Sequence, residues 1–346
     1  MKKIAIISIL FLCAVLSCKE KRPQADEYLQ IGGRRYEYKL SELSGIREFT
    51  LWLQPELAPS AVGGGSQSLK GIEQLGSITS LTIQGASSWP NVSEMDFSPL
   101  NALSNLRRLR FYALTFDKIP DLSGLPLLEE LEFGCRIATL DGLEKVQQVK
   151  RLNISFHNNY FGGFGQLSEL STLDSLIISG FNSTGEEWEK TVIRAADLSG
   201  LKELRFLQIE NFNLIDLGGV QNLSSLEILE LDEKRNMANV RDVAGAVSLR
   251  ELICLVVSPD ITSLDFLRPL TNLSSLTLCG KGNAIDVTPL GSLPALEQLH
   301  LIGFAVRNFQ VLDNAPTLNF VYTYDSSFSP QSSSTLRNPR IHYMHD

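Results

Sequence analysis

After about residue 45, apolar positions recur along the chain in the spacing apolar-x-x-apolar-x-apolar. The first copies are Ile46-Phe49-Leu51, Ile78-Leu81-Ile83, Leu106-Leu109-Phe111 and Leu128-Leu131-Phe133. Val149-Leu152-Ile154, Leu173-Leu176-Ile178, Leu204-Leu207-Ile209 and Leu226-Leu229-Leu231 follow. Leu249-Leu252-Cys254, Leu273-Leu276-Leu278, Leu296-Leu299-Leu301 and a degenerate twelfth copy, Leu318-Val321-Thr323, complete the series. Steps between first positions are 32, 28, 22, 21, 24, 31, 22, 23, 24, 23 and 22 residues, so eight of eleven fall between 21 and 24. Apolar residues two apart mark a strand with one buried face. A near-constant period of this length marks a stack of like units, none of which can bury its leucines alone.

The motif resembles the L-x-x-L-x-L core of leucine-rich repeats over about residues 43–325. Linking phrases such as Ile261-Thr-Ser-Leu264-Asp265-Phe-Leu267-Arg-Pro269-Leu270 and Ile285-Asp286-Val287-Thr-Pro289-Leu290 resemble the short internalin-type repeat of bacteria. The resemblance implies an α/β-type repeat solenoid: a horseshoe with a concave parallel β-sheet of about twelve strands and irregular or 3-10 turns on the convex side. One departure is plain. The family places Asn three residues after the last core position, where this chain has Leu114, Arg136, His157, Phe181, Phe212, Lys234, Val257, Lys281 and Phe304. An asparagine ladder is absent or displaced to neighbours such as Asn158, Asn182, Asn213 and Asn283.

Three long steps have visible causes. Residues 55–70 carry Pro55, Pro59 and Gly63-Gly64-Gly65, and residues 86–101 carry Trp89-Pro90-Asn91. Residues 182–197 include Glu186 to Ile193, read as a short extra helix. Upstream, Tyr28 to Tyr38 with Gly32-Gly33 at its centre predicts a hairpin capping the open edge of the core. Lys2, Lys3 and the apolar run Ile4–Leu16 form a targeting segment too short to span a bilayer. That segment ends in Val15-Leu16-Ser17-Cys18, which resembles the lipobox of bacterial lipoproteins and implies cleavage before Cys18 and lipidation of its thiol. The expected organisation is signal peptide 1–17, lipidated tether 18–27, N-terminal cap 28–45, repeat domain 46–325 and a C-terminal cap or tail 326–346.

Alternation along a strand sends successive side chains to opposite faces, so residues beside the leucines line the concave surface. In the third repeat these are Arg108, Arg110 and Tyr112, followed by Glu130 and Glu132, then Arg151 and Asn153. Opposite charges there stand on neighbouring strands and are placed to pair. Further on, Glu210, Glu230 and Asp232 form an acidic group with no basic partner in line. Phe206, Ile228, Ile253, Leu255, His300, Ile302, Phe320, Tyr322 and Tyr324 give the C-terminal third an apolar and aromatic surface, of the kind that marks an interaction site. The segment from Asp325 onward either leaves Phe320–Tyr324 open or folds over them. By the same alternation Cys254 is a core residue, Cys279 points outward, and Cys135 lies at a strand exit; the three are expected as thiols.

Removal of residues 1–17, which hold Lys2 and Lys3 and no acid, takes the formal charge from −8 to −10. An acidic chain of this kind is a poor partner for nucleic acid. Four histidines, His157, His300, His342 and His345, fall in no HExxH or cysteine–histidine arrangement, and no GxSxG occurs. Asn159-Tyr-Phe-Gly162-Gly163-Phe-Gly165 lacks the Lys-Ser/Thr of a phosphate loop, and Gly63-Gly-Gly-Ser-Gln-Ser-Leu-Lys70 fails on spacing. No catalytic residue, metal or cofactor is nominated. The sequence therefore reads as a monomeric, lipid-anchored envelope protein that binds a protein or glycan through the repeat surface, with adhesion implied by the internalin resemblance. The alternatives are a periplasmic scaffold or assembly factor for a resident envelope protein, and an enzyme built on the loop insertions. Lys19 differs from the aspartate that marks inner-membrane retention in some bacteria, which favours the outer membrane or cell surface.

Overall fold

The computed structural model describes residues 28–53, 68–86, 89–156, 163–180, 192–232, 236–328 and 335–345. The signal peptide, the tether with Cys18, most of the insertions at 55–70 and 182–197, and His157, Asn158 and Asn182 lie outside the described residues.

One parallel sheet of thirteen strands carries the repeats. In order its strands are Glu48–Leu53, Ser80–Gly85, Arg108–Phe116, Glu130–Ile137, Arg151–Phe156, Ser175–Gly180 and Phe206–Glu210. Then come Ile228–Leu231, Glu251–Val256, Ser275–Cys279, Gln298–Ile302, Phe320–Tyr324 and His342–His345. The middle apolar position of each repeat stands in register with the next, so Phe49, Leu81, Leu109, Leu131, Leu152, Leu176 and Leu207 form one continuous row. Leu229, Leu252, Leu276, Leu299, Val321 and Tyr343 extend it to the last strand. Most of the row is fully buried, and each leucine so removed from water contributes about 1.5–3 kcal/mol.

Most turns behind the sheet contain 3-10 helices of three to six residues, among them Ile72–Leu75, Val220–Asn222 and Phe309–Asn314. A period near 23 residues leaves too little chain for a helix of several turns, whereas short 3-10 pieces reverse direction quickly. Aspartates start several of these turns by accepting a backbone N–H two residues on, as Asp96 does from Ser98, Asp121 from Ser123 and Asp286 from Thr288. Two small parallel sheets also lie outside the main one: Val192–Arg194 with Leu214–Asp216 and Asn236–Ala238, and Ala284–Asp286 with Ala305–Arg307 and Ser327–Phe328. Val192 and Ile193, expected in a helix, are therefore in a strand, because pairing with Leu214 and Ile215 outweighs local propensity.

Among the described residues no asparagine row follows the core motif. Leu114, Phe212, Val257 and Phe304 fill that position as buried apolar groups. Phenylalanines continue the packing there: Phe111, Phe116 and Phe133 stack and cross at 5.2–6.3 Å, and Phe164 meets Phe156 and Phe212 at 5.7 Å. Asparagines work instead on the turns. Asn239 and Asn308, both with left-handed backbone, donate their amides to Asp216 and Asp286 of the preceding repeat at 2.7 and 3.0 Å.

The ninth strand departs from the expected register. Cys254 adopts φ +61° and the pairing shifts between Leu252 and Leu255. This bulge inserts one residue, so Leu255 is fully buried opposite Leu278 and Cys254 is only half-buried. Leu255 is thus a core residue and not a concave one, and Cys254 is not the core residue that strict alternation implies. Burying a leucine in place of a thiol offsets the left-handed backbone, which costs about 1–2 kcal/mol. Cys279 is likewise buried, flanked in register by Val256 and Ile302. Cys135 is buried within the fourth strand with Sγ 3.1 Å from the Phe111 carbonyl, and burial pushes its thiol up to about 12. All three remain thiols.

Both ends of the core are covered. Tyr28–Ile31 and Arg34–Lys39 form the expected antiparallel hairpin, with Gly32 and Gly33 at φ +60° and +78° in its turn. Leu29 and Ile31 of its first strand are buried against the core. At the other end the last repeat is not left bare: His342–His345 adds beside Phe320–Tyr324 as the thirteenth strand, in the sheet and not across its concave face. That strand explains the polar residue in the twelfth repeat. Thr323 is fully buried, and its hydroxyl is bonded to His345 Nδ1 at 2.7 Å and to the Tyr343 hydroxyl at 3.2 Å.

Candidate functional site

The concave face is three columns of side chains, one strand apart at about 4.8 Å. Each column runs across the sheet because the strands are in register. The first contains Arg108, Glu130, Arg151, Ser175, Phe206, Ile228 and Glu251 in turn. Arg110, Glu132, Asn153, Ile177, Gln208, Glu230 and Ile253 form the second.

On the third to fifth strands the face closes on itself, as the charge order predicts. Glu130 accepts from Arg108 and from Arg151, the latter through Nε at 3.0 Å. Hydrogen bonds from Arg108 and then Arg151 outweigh partial burial and hold its carboxyl at about 2. Glu132 accepts from Arg110 Nε at 3.1 Å and Asn153 Nδ2 at 3.4 Å. Tyr112 lies against Gly134, where any Cβ would come within 2.6 Å of its ring; burial first, then its bond to Glu132, pushes its hydroxyl well above the usual range. The absence of a side chain at Gly134 is what seats this tyrosine. Arg108, Arg110 and Tyr112 are therefore committed to neighbours within the sheet.

The sixth to ninth strands are different. Phe206 and Ile228 stand side by side, with Ile177 and Ile253 diagonal to them, and all four are half-buried. Glu210 accepts from Gln208 Nε2 at 2.6 Å and lies 3.5 Å from the Ser179 hydroxyl, while Asp232 accepts the Asn211 N–H at 3.2 Å. Glu230 lies between Gln208 and Ile253; burial, then the charges of Glu210 and Glu251, raise its carboxyl above the ordinary range.

Toward the C-terminus the surface becomes aromatic. His300 packs its ring against Phe320 at 5.5 Å and Tyr322 at 5.7 Å, and burial lowers its affinity for a proton. His342 stacks on Phe320 at 5.7 Å, and Tyr324, 51 % exposed, stacks on Tyr322 at 6.5 Å. The thirteenth strand thus widens this patch with His342 and Met344, which sequence reasoning missed because the segment lacks the repeat's leucines. Trp52, 60 % exposed on the first strand, is a further concave aromatic.

A second line was also missed, on the residues just before each strand. Arg107 pairs with Glu129 at 2.9 Å, and Glu227 is flanked by Arg205 at 2.8 Å and Arg250 at 3.9 Å. A polar groove of about 670 Å³ opens there between Asp174, Glu203, Ser225 and Asn272. Among the described residues no group of three His, Cys, Asp or Glu is arranged to hold a metal ion.

No protein-family profile matches the chain. No curated protein sequence matches it. Solved structures do. An internalin of Listeria monocytogenes superposes with a TM-score of 0.57 at 18 % identity, over 89 % of this chain and 89 % of that one. A leucine-rich-repeat protein of Leptospira interrogans gives 0.50 at 16 % identity, over 88 % of this chain and 85 % of that one. These likenesses, with the thirteen-stranded parallel sheet, establish the fold as a leucine-rich-repeat solenoid.

Proposed function

We propose that the protein is a lipid-anchored envelope protein of a bacterium that binds a protein ligand on the concave face of the solenoid, over the seventh to twelfth strands. One observation carries this reading: the third to fifth strands neutralise their own charges, whereas the later strands present apolar, aromatic and acidic groups side by side. Contiguous, partly exposed apolar surface of this kind is costly to keep unless it is used. Aromatic rings on a rigid sheet supply large contact area with little loss of conformational freedom. Cys18 is the lipid attachment site in this reading, and no helix among the described residues is long and apolar enough to cross a membrane. Binding, not catalysis, suits a chain almost wholly given to repeats.

Protease treatment of intact cells against lysed cells tests the display. Digestion without lysis is expected, together with release of Cys18→Ala into the soluble fraction. Protection until lysis would move the ligand search to partners within the envelope, and membrane retention of Cys18→Ala would overturn the lipid anchor.

A further inference from the structure

Charge on the concave face is handled in two ways, and the difference defines what the later strands would take. Glu130 and Glu132 are each met by an arginine of an adjacent strand. Glu210, Glu230 and Glu251 face the same side of the sheet three to five strands further on, and among the described residues no arginine or lysine pairs with them. Arg205 and Arg250, the described arginines nearest in sequence to Glu210 and Glu251, are held at the strand-start rim by Glu227, and Lys234 and Arg235 lie outside the described residues. Around the carboxylates stand Phe206, Ile228 and Ile253, half-buried and contiguous.

From this complementarity we propose that the seventh to ninth strands hold a subsite for a basic side chain of the protein ligand: a lysine or arginine whose charge rests on Glu230 between Glu210 and Glu251, while its apolar neighbours cover Phe206, Ile228 and Ile253. The inference rests on the concave-face reading above and specifies its partner. Burial first, then the nearby charges of Glu210 and Glu251, hinder ionisation of Glu230, yet among the described residues no group of three is arranged to chelate a metal. That spacing suits a long organic cation. Lysine and arginine also lay an aliphatic stem along apolar surface while keeping the charged end on a carboxylate, as this mixture of groups requires. The ligand's cation would offset the charges of Glu210 and Glu251, which add to burial in raising the Glu230 carboxyl.

Selection of a phage-displayed random peptide library on the full mature protein, followed by affinity measurement of the best synthetic peptide, tests the inference. Enriched peptides are expected to carry a lysine or arginine flanked by apolar residues. Their binding should weaken about tenfold in Glu230→Gln, fall with added salt, and stay unchanged in the distant turn variant Leu127→Ala. Free Glu230→Gln should melt at a higher temperature than the parent at pH 7, because a hindered charge is removed. A lower melting temperature would mean that the cluster is already neutralised internally, and would overturn the proposal. Peptides without basic residues that nevertheless lose binding in Ile228→Asp would sink the cationic subsite and leave the concave site standing. Peptides indifferent to every concave substitution, or no enrichment over an unrelated protein, would remove both.

Discussion

At the residue scale, the same side-chain type plays opposite parts according to its neighbours. Glu130 is a structural carboxylate: two arginines bond it and hold it at about 2. Its folded-state value lies below the unfolded one, so its contribution is fully present above about pH 4.5 and is lost as pH falls toward about 2. Glu130→Gln is expected to destabilise the protein by about 1 kcal/mol at pH 6, the pair being partly exposed and screened by solvent. Denaturant titrations of parent and variant should converge near pH 2; a difference that persists there would show that packing and not charge is lost. Glu230 is shifted the other way, by burial and by Glu210 and Glu251. A carboxyl raised in the fold weakens it once ionised, and such a residue on an exposed face is more readily understood as kept for binding than for stability.

At the element scale, the leucine spacing located all twelve repeat strands and the hairpin cap, because buried faces and a glycine turn are local signals. It failed where two registers were nearly equal or where the partner was remote. In Leu252-Ile253-Cys254-Leu255 alternation favours Cys254 for the core, but a bulge lets the larger Leu255 take the place. Leu255→Asp is therefore expected to cost at least about 3 kcal/mol by burying an unpaired charge, whereas Ile253→Asp stays within about 1 kcal/mol. Equal effects in denaturant unfolding would restore the unbulged register. Thr323 in a core slot likewise made no sense until Tyr343 and His345, some twenty residues on, came to bond it. That contact turns a nondescript tail into the end cap. Deleting residues 335–346 should expose the twelfth repeat and lower the melting temperature by several degrees, about 1 kcal/mol or more; an unchanged melt would mean that the thirteenth strand adds nothing.

At the scale of the whole molecule, the parallel sheet converts a one-dimensional sequence into an ordered surface, and the order matters. Half of that surface was legible: residues beside the leucines do line the concave side, except Leu255 and Cys279, which are buried, and the charge pairing of Arg108, Arg110, Glu130, Glu132 and Arg151 follows directly from their sequence order. What could not be read were features assembled across strands, such as the seating of Tyr112 on Gly134, the rim around Glu227, and the extension of the aromatic patch by His342 and Met344. The account's central claim is that the later strands of the concave face, and not the early strands or the turns, meet the ligand. Photo-crosslinking in living cells tests this most directly, with a photoreactive residue placed singly at Ile228, Ile253, Tyr324, Arg110 and Leu127. Adducts are predicted from Ile228, Ile253 and Tyr324 and not from Arg110 or Leu127; adducts confined to Arg110 or Leu127, or equal from all five, would contradict the account.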